Sequence, residues 1–413
     1  MRAIRSDVGE TPGVPLTPYR RVLAVPGVPS LTLLGIVARL PNAGTGVIVT
    51  VHVVQTLGRS YAAAGLVVAA LTIGTAIGAP WRGRMVDRLG LRRALLPSLL
   101  AEGVVWSSAP WLSYWWLVGA VVVGGVFSLP VFTVIRLALS AMVPVALRRT
   151  AFALDSVSVE VSFMVAPAAG ILVATHISTT VALIALGATS VLAGIGLFVM
   201  NPPTRTPEGN ARAAGHPSIP IDDGPKPKIA VTAPLVLVLV ATSAATVVLA
   251  GTDVSIIATL RASDQLQWTG LVASVWAFAS LLGGVVYGAI PRSIPPTWLL
   301  LGLGALTIPV ALVSGPLALC LAMVPAGFLC APVITATAEV IAELVPEEVR
   351  GEAMGWHGSA LTAGIALGAP LAGYAIDKVA PWAGFVTVGV TGTVVALVGL
   401  AVFSLRAREP RPA

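Results

Sequence analysis

The sequence predicts an all-α membrane protein of twelve transmembrane helices, built as two pseudo-symmetric six-helix bundles. Three observations carry that expectation: an apolar composition, twelve apolar windows of spanning length, and a repeat between the halves. The chain has 413 residues, 56% of them hydrophobic, with a mean hydropathy of +0.91. Only 10% are charged, which is too few to coat a soluble domain of this length, so lipid is the expected solvent. Cys320 and Cys330 lie ten residues apart in one apolar run, nearly three helical turns and too far for a disulfide. No Cys/His cluster has metal-ligand spacing, and no metal or cofactor is expected. The first 30 residues carry Arg2, Arg5, Arg20 and Arg21, too long and too polar a head for a cleaved signal peptide.

A membrane helix needs about 20 mostly apolar residues. Twelve windows qualify: 31–55, 61–81, 94–112, 115–139, 151–174, 177–200, 230–257, 269–290, 297–313, 316–341, 353–375 and 382–405. Span nine is the shortest. With both termini in the cytoplasm, 20 of the 25 basic residues fall in the termini, in cytoplasmic loops or in the central linker. Only Arg59, Arg261 and Lys378 then face outward. That bias sets the orientation, and it accounts for the net charge of +7 without nucleic acid. The expected order is a cytoplasmic tail (1–30), a first bundle (31–200), a proline-rich cytoplasmic linker (201–229), a second bundle (230–405) and a second tail (406–413). A multi-pass monomer of the plasma (inner) membrane is expected.

The halves repeat one another. Residues 130–151, "PVFTVIRLALSAMVPVALRRTA", align without gaps onto 332–353, "PVITATAEVIAELVPEEVRGEA". Pro130/Pro332, Thr133/Thr335, Pro144/Pro346 and Arg148/Arg350 are among seven identities in 22 positions. Slipped by one, the register continues from "APAAG" (166–170) to "APLAG" (369–373). Six helices followed by six related helices in the same topology is a parallel repeat, one of the transporter architectures.

The stretch "WRGRMVDRLGLRR" (81–93) concentrates charge between spans 2 and 3. Its Gly83, Asp87, Arg88 and Gly90, followed by Arg92 and Arg93, resemble the signature of the major facilitator superfamily. Leu91 stands where a basic residue is usual. Span count, linker and half-repeat extend the resemblance over the whole chain, with bacterial drug-efflux members as the subtype it most resembles. The resemblance implies that Asp87 caps the N-terminus of span 11 in the other half, where its charge suits the helix dipole, and so closes the cytoplasmic side. Arg88, Arg92 and Arg93 are then expected to pair with acids such as Glu347, Glu348 and Glu352. Gly284 and Gly288 mark the matching end of span 8, but no aspartate stands there, which implies unequal gates. Ala166-Pro167-Ala168-Ala169-Gly170 partly resembles the Gly-Pro-x-x-Gly-Gly motif of drug antiporters, lacking its first and last glycines.

Ionisable residues inside spans are costly and therefore functional candidates. Arg39 lies about eight residues into span 1, about 12 Å deep, and could pair with Glu160 of span 5 or Glu102 of span 3. Asp155 and Arg136 could form a second pair. Asp253 lies deep in span 7 without a basic partner at its depth, and Glu339 near the inner end of span 10. A carboxylate in lipid without a cation favours its protonated form, so it can load and release a proton near neutral pH. Asp253 is the first expectation for proton coupling and Glu160 the second, with Asp155 and Arg39 as further proton or substrate candidates. Arg136, Glu102 and Glu339 are expected to tie helices together. In this superfamily spans 1, 4, 7 and 10 chiefly line the cavity, with parts of 2, 5, 8 and 11, so the resemblance favours Arg39, Glu160, Asp155 and Asp253 over Glu102 as cavity residues.

His52 and His357 are expected at span ends, facing the interface. Trp106, Trp111, Trp115 and Trp116 read as an interfacial belt, and Trp276 and Phe278 as core packing. No Walker loop or metal-protease motif is present, so neither an ATP-driven pump nor an enzyme is expected. The leading reading is a secondary active transporter exchanging protons for a small hydrophobic or amphipathic compound. A metabolite carrier, for a sugar or an amino acid, and a non-transporting sensor are the alternatives.

Overall fold

The computed structural model describes residues 17–206 and 229–406; most of the expected linker and both extreme tails lie outside these residues. The first half holds α1 (Thr17–Leu23), α2 (Val28–Val51, prolonged by a π turn to Thr56), α3 (Tyr61–Leu89) and α4 (Leu91–Ser108). It continues with α5 (Tyr114–Val126), α6 (Val131–Met142), α7 (Arg148–His176) and α8 (Thr179–Met200). The second half holds α9 (Ala233–Ala262), α10 (Thr269–Ala289), α11 (Pro296–Thr307), α12 (Pro316–Leu344), α13 (Arg350–Lys378) and α14 (Pro381–Arg406). No strand occurs among the described residues.

Spans 1 to 12 are thus α2, α3, α4, α5 with α6, α7, α8, and α9 to α14. Ten are long and apolar enough to cross a membrane. The other two are α4, which carries Arg92, Arg93 and Glu102 in 18 residues, and the short helix Pro296–Leu312. Starts and stops follow local chemistry. Ser60 and Ser178 accept from the N–H groups of Ala63 and Val181 at the starts of α3 and α8, and Gly90, at φ +77°, ends α3. Large apolar side chains on the outer faces, such as Leu100, Leu192 and Leu321, are more than half exposed. A lipid solvent accounts for this surface.

The same packing scheme appears in each half. Span 1 packs on 5 and 6, span 2 on 4, and span 3 on 6; correspondingly 7 packs on 11 and 12, 8 on 10, and 9 on 12. The halves meet through spans 2 and 11 and, in the matching position, 8 and 5. The expected fold class therefore stands.

Span 4 departs from its repeat partner. It breaks over residues 127–130, whereas span 10 runs unbroken through the matched Pro332. Below the break one apolar core crosses both halves, joining Val86, Leu95, Ile135 and Phe152 to Ile341, Val349 and Met354. Two further cores are separate. One lies in the first half around Val53, Trp106 and Leu183, the other in the second half around Val248, Leu300 and Met323. The halves are thus fused at one end, called the gate end below, and separately cored at the far end.

Candidate gate and intramembrane charges

At the gate end Asp87 closes the last turn of α3 against the first turn of α13. Its two carboxylate oxygens accept from the backbone N–H of Gly351 at 2.9 Å and of Glu352 at 2.8 Å. These N–H groups have no partner inside the helix, and the positive end of its dipole faces the carboxylate. Gly83 makes the approach possible, since a Cβ there would overlap the Gly351 carbonyl. Arg84 completes the contact with a two-point pair to Glu352, its Nε lying 3.0 Å from Oε2.

The arginines expected to pair here do not. Arg88 and Arg93 are exposed, and Arg92 donates to the Phe198 carbonyl at 3.0 Å while lying over the Phe198 ring. Helical phase is the reason: Arg84 shares the face of Asp87, Arg88 is turned about 100° away, and Arg92 and Arg93 belong to α4. Glu347 instead accepts from the backbone and hydroxyl of Thr206, and Arg205 donates to the Asp87 carbonyl.

The matching contact, between α7 and α10, uses other atoms. The Thr150 hydroxyl donates to the Gly288 carbonyl at 2.6 Å, and Arg149 to the Ile290 carbonyl at 2.9 Å. Arg149 also pairs with Glu339 of α12 at 3.2 Å. Above them α1 crosses from the first half, and the Tyr19 hydroxyl reaches the Val285 carbonyl at 2.8 Å and that of Gly284 at 3.3 Å. Sequence reasoning treated residues 17–23 as tail. A buried tyrosine and valine spaced by three were the available signal.

Toward the middle, Arg39 pairs with Asp155, 2.5 Å away, and not with Glu160 or Glu102. Arg136 holds the other oxygen of Asp155 at 3.2 Å, so one carboxylate on α7 serves two arginines. Arg39 is wholly buried and lies 5.1 Å from the Phe132 ring centre. The sequence distances misled because depth along a helix says nothing about which face a side chain occupies. Arg136 also donates to His357 Nδ1 at 2.9 Å, across the boundary between halves. A guanidinium can only donate, so Nδ1 is bare and the Nε2 proton faces Thr337, 3.0 Å away. His357 is therefore a buried neutral link and not an interfacial residue. His52 is buried too, against Thr179.

Glu160 accepts from the Ser280 hydroxyl of α10 at 2.7 Å, again across the halves. Asp253, twenty residues into α9, has a side chain not covered by protein, although the helix around it is apolar. It lies within electrostatic reach of Glu160. Helices α2 and α9 share no extended packing. These two acids thus lie on opposite halves, and among the described residues no arginine is paired to either.

Glu102 stands apart, inside the first half, accepting from Trp106 Nε1 at 2.6 Å. Trp106 is consequently buried and not part of a belt, whereas Trp111, Trp115 and Trp116 are exposed as a belt requires. Phe278 is exposed while Trp276 is packed in the core.

A family model described as the Major Facilitator Superfamily matches residues 31–314 and 269–413. The chain belongs to this superfamily. Members of the superfamily are membrane transporters, and this MFS chain is a multi-pass membrane protein of that kind. Among similar solved structures is the human organic anion transporter MFSD10 (TETRAN), at TM-score 0.67 and 16% identity, covering 92% of this chain and 99% of that one. The proton:xylose symporter XylE matches at TM-score 0.67 and 13% identity over 91% and 95%. A bacterial homologue of the iron transporter ferroportin, in an outward-facing state, matches at 0.69 and 14% over 93% and 100%. At these identities the likeness is one of fold. Comparison with curated protein sequences gives no match.

Proposed function

We propose that this protein is a secondary active transporter that exports a small hydrophobic or amphipathic compound in exchange for protons, by alternating access. The observation that carries the reading is the pair Asp253 and Glu160. Two carboxylates within electrostatic reach, on opposite halves and without a paired cation among the described residues, form a site for a proton rather than a structural ion pair. Asp155 differs, because two arginines are paired to its two carboxylate oxygens and make it an anchor.

The gate reading rests on the fused core together with the α3–α13 and α7–α10 contacts. The distribution of basic residues puts this end in the cytoplasm, so the conformation is outward-facing, like the state of the ferroportin homologue. Asp253 and Glu160 then load protons from outside. Neutralised, they let the halves approach at the far end, and the Asp87 contacts yield at the gate end. The aliphatic lining of the spans favours an apolar cargo over a sugar or a phosphate.

Asp253→Asn removes the loading group. Expression of the unaltered protein is expected to protect cells against members of a panel of toxic apolar compounds, and to lose this effect when the proton gradient is collapsed. Asp253→Asn in reconstituted vesicles is expected to abolish proton-coupled flux. Undiminished flux with undiminished proton release would overturn the assignment.

A further inference from the structure

The break in span 4 is held by two buried charges that have no role in the gate described above. Pro130 has no N–H, so the Val126 carbonyl has lost its helical donor, and the Leu129 N–H has turned out of the helix. Arg82 fills the first gap, its Nη1 donating to the Gly125 carbonyl at 2.7 Å and the Val126 carbonyl at 2.5 Å. Glu102 fills the second, accepting from the Leu129 N–H at 3.2 Å. Both side chains are almost completely buried. Trp81, the neighbour of Arg82, packs edge-on against Phe127 at 5.3 Å.

The repeat shows what the arginine changes. Val126 corresponds to Phe328, and Gly283 precedes Gly284 as Arg82 precedes Gly83. Gly283 lies against the Phe328 carbonyl so closely that a Cβ would overlap it. Span 10 stays unbroken against a glycine, while span 4 is divided beside an arginine. A guanidinium inside an apolar bundle is costly, and packing alone does not require it. The segment beyond the break, α6, carries Arg136, which holds Asp155 in its own half and His357 in the other.

We propose that Arg82 is a positioning residue for transport: with Glu102 it holds a joint in span 4 that aims α6, and through Arg136 sets the contact with α13. The proposal rests on the gate reading above. Discontinuous membrane helices elsewhere concentrate motion and binding at such interruptions, because their ends carry unpaired backbone groups. Here these groups are paired by side chains, so the joint is fixed in angle while the two segments move as units.

The test is a double-mutant cycle read by electron–electron distance measurement in lipid nanodiscs. Spin labels go on cysteines at positions 93 and 343, exposed residues on opposite halves at the gate end, with Cys320 and Cys330 replaced by alanine. Arg82→Met is expected to raise the open-to-closed ratio of the gate about tenfold, the scale of losing charged hydrogen bonds. His357→Ala alone raises it about threefold. Combined, His357→Ala adds nothing to Arg82→Met, because α6 is no longer aimed at it. Independent effects that multiply would overturn the proposal, as would an Arg82→Met ratio equal to that of the unaltered chain. If Arg82→Met does not yield folded protein, Arg82→Lys carries the same cycle with a smaller shift and the same two outcomes. Asp87→Asn separates the two readings. A gate that ignores Asp87→Asn refutes the gate itself, whereas one that opens with Asp87→Asn but ignores Arg82→Met refutes only the joint.

Discussion

Between α3 and α13 a carboxylate accepts from backbone N–H groups, while between α10 and α7 side-chain donors reach backbone carbonyls. Both contacts place the end of one helix against the start of another, and the repeat puts Arg149 and Thr150 where Gly351 and Glu352 stand. The difference lies in which helix end has its unpaired groups satisfied. At α13 the orphan donors of the first turn meet Asp87; at the end of α10 the Gly288 and Ile290 carbonyls meet Thr150 and Arg149, while Tyr19 reaches the Gly284 and Val285 carbonyls one turn earlier. Where the second half lacks the aspartate, the chain recruits α1, a helix outside both repeats. Two unlike gates on a symmetric frame imply that one bears more of the closing free energy. The α3–α13 contact sets a carboxyl against the positive end of a helix, whereas the α7–α10 contact sets a guanidinium and a hydroxyl against carbonyls at the negative end of another.

The largest effect comes from steric conflict. Gly83→Ala sets a methyl on the Gly351 carbonyl, so the closed gate is lost and labels at 93 and 343 report the open distance. Gly284→Ala meets side-chain methyls of Ala331 and Val157 and no backbone, and is expected to change that distance far less. Equal effects from the two would erase the contrast between the gates. Next comes Asp87→Asn, expected to weaken the closed state by about 2 kcal/mol, since one acceptor and the charge are removed. Thr150→Val, on the other side, removes one neutral bond and costs about 1 kcal/mol in the same measurement. Tyr19→Phe deletes the α1 bond and is expected to cost about 1 kcal/mol, visible as faster labelling of a cysteine at 287. The smallest effect is that of Glu352→Gln. Arg84 is half exposed, so loss of the pair costs under about 1 kcal/mol and fades in high salt.

Much of this was legible in the chain. Apolar windows, the basic-residue bias and the half-repeat predicted the spans and their division, because lipid forces every backbone group into a helix and long helices leave long signatures. The pattern around Asp87 also pointed to the start of span 11. Partners inside the bilayer were not legible. Arg39 was matched by depth to Glu160 or Glu102, whereas rotation about the helix axis gave it Asp155; Trp106 and His357 were placed at surfaces and lie in the interior. Arg82 was counted among the loop charges, although Pro130, four residues after Val126, already announced a carbonyl without a donor.

The sequence by itself determined that the chain is a membrane bundle of two related halves, one carrying the aspartate motif at 83–93 and one lacking the aspartate. These properties follow from local composition and from repetition along one dimension. Only the tertiary structure decided which arginine meets which acid, that α1 bonds to the end of α10, and that span 4 is interrupted beside Arg82. Each of those depends on helix phase and on approach between helices far apart in sequence. There a single Cβ or a missing N–H selects the partner, and neither distance is written in the order of residues.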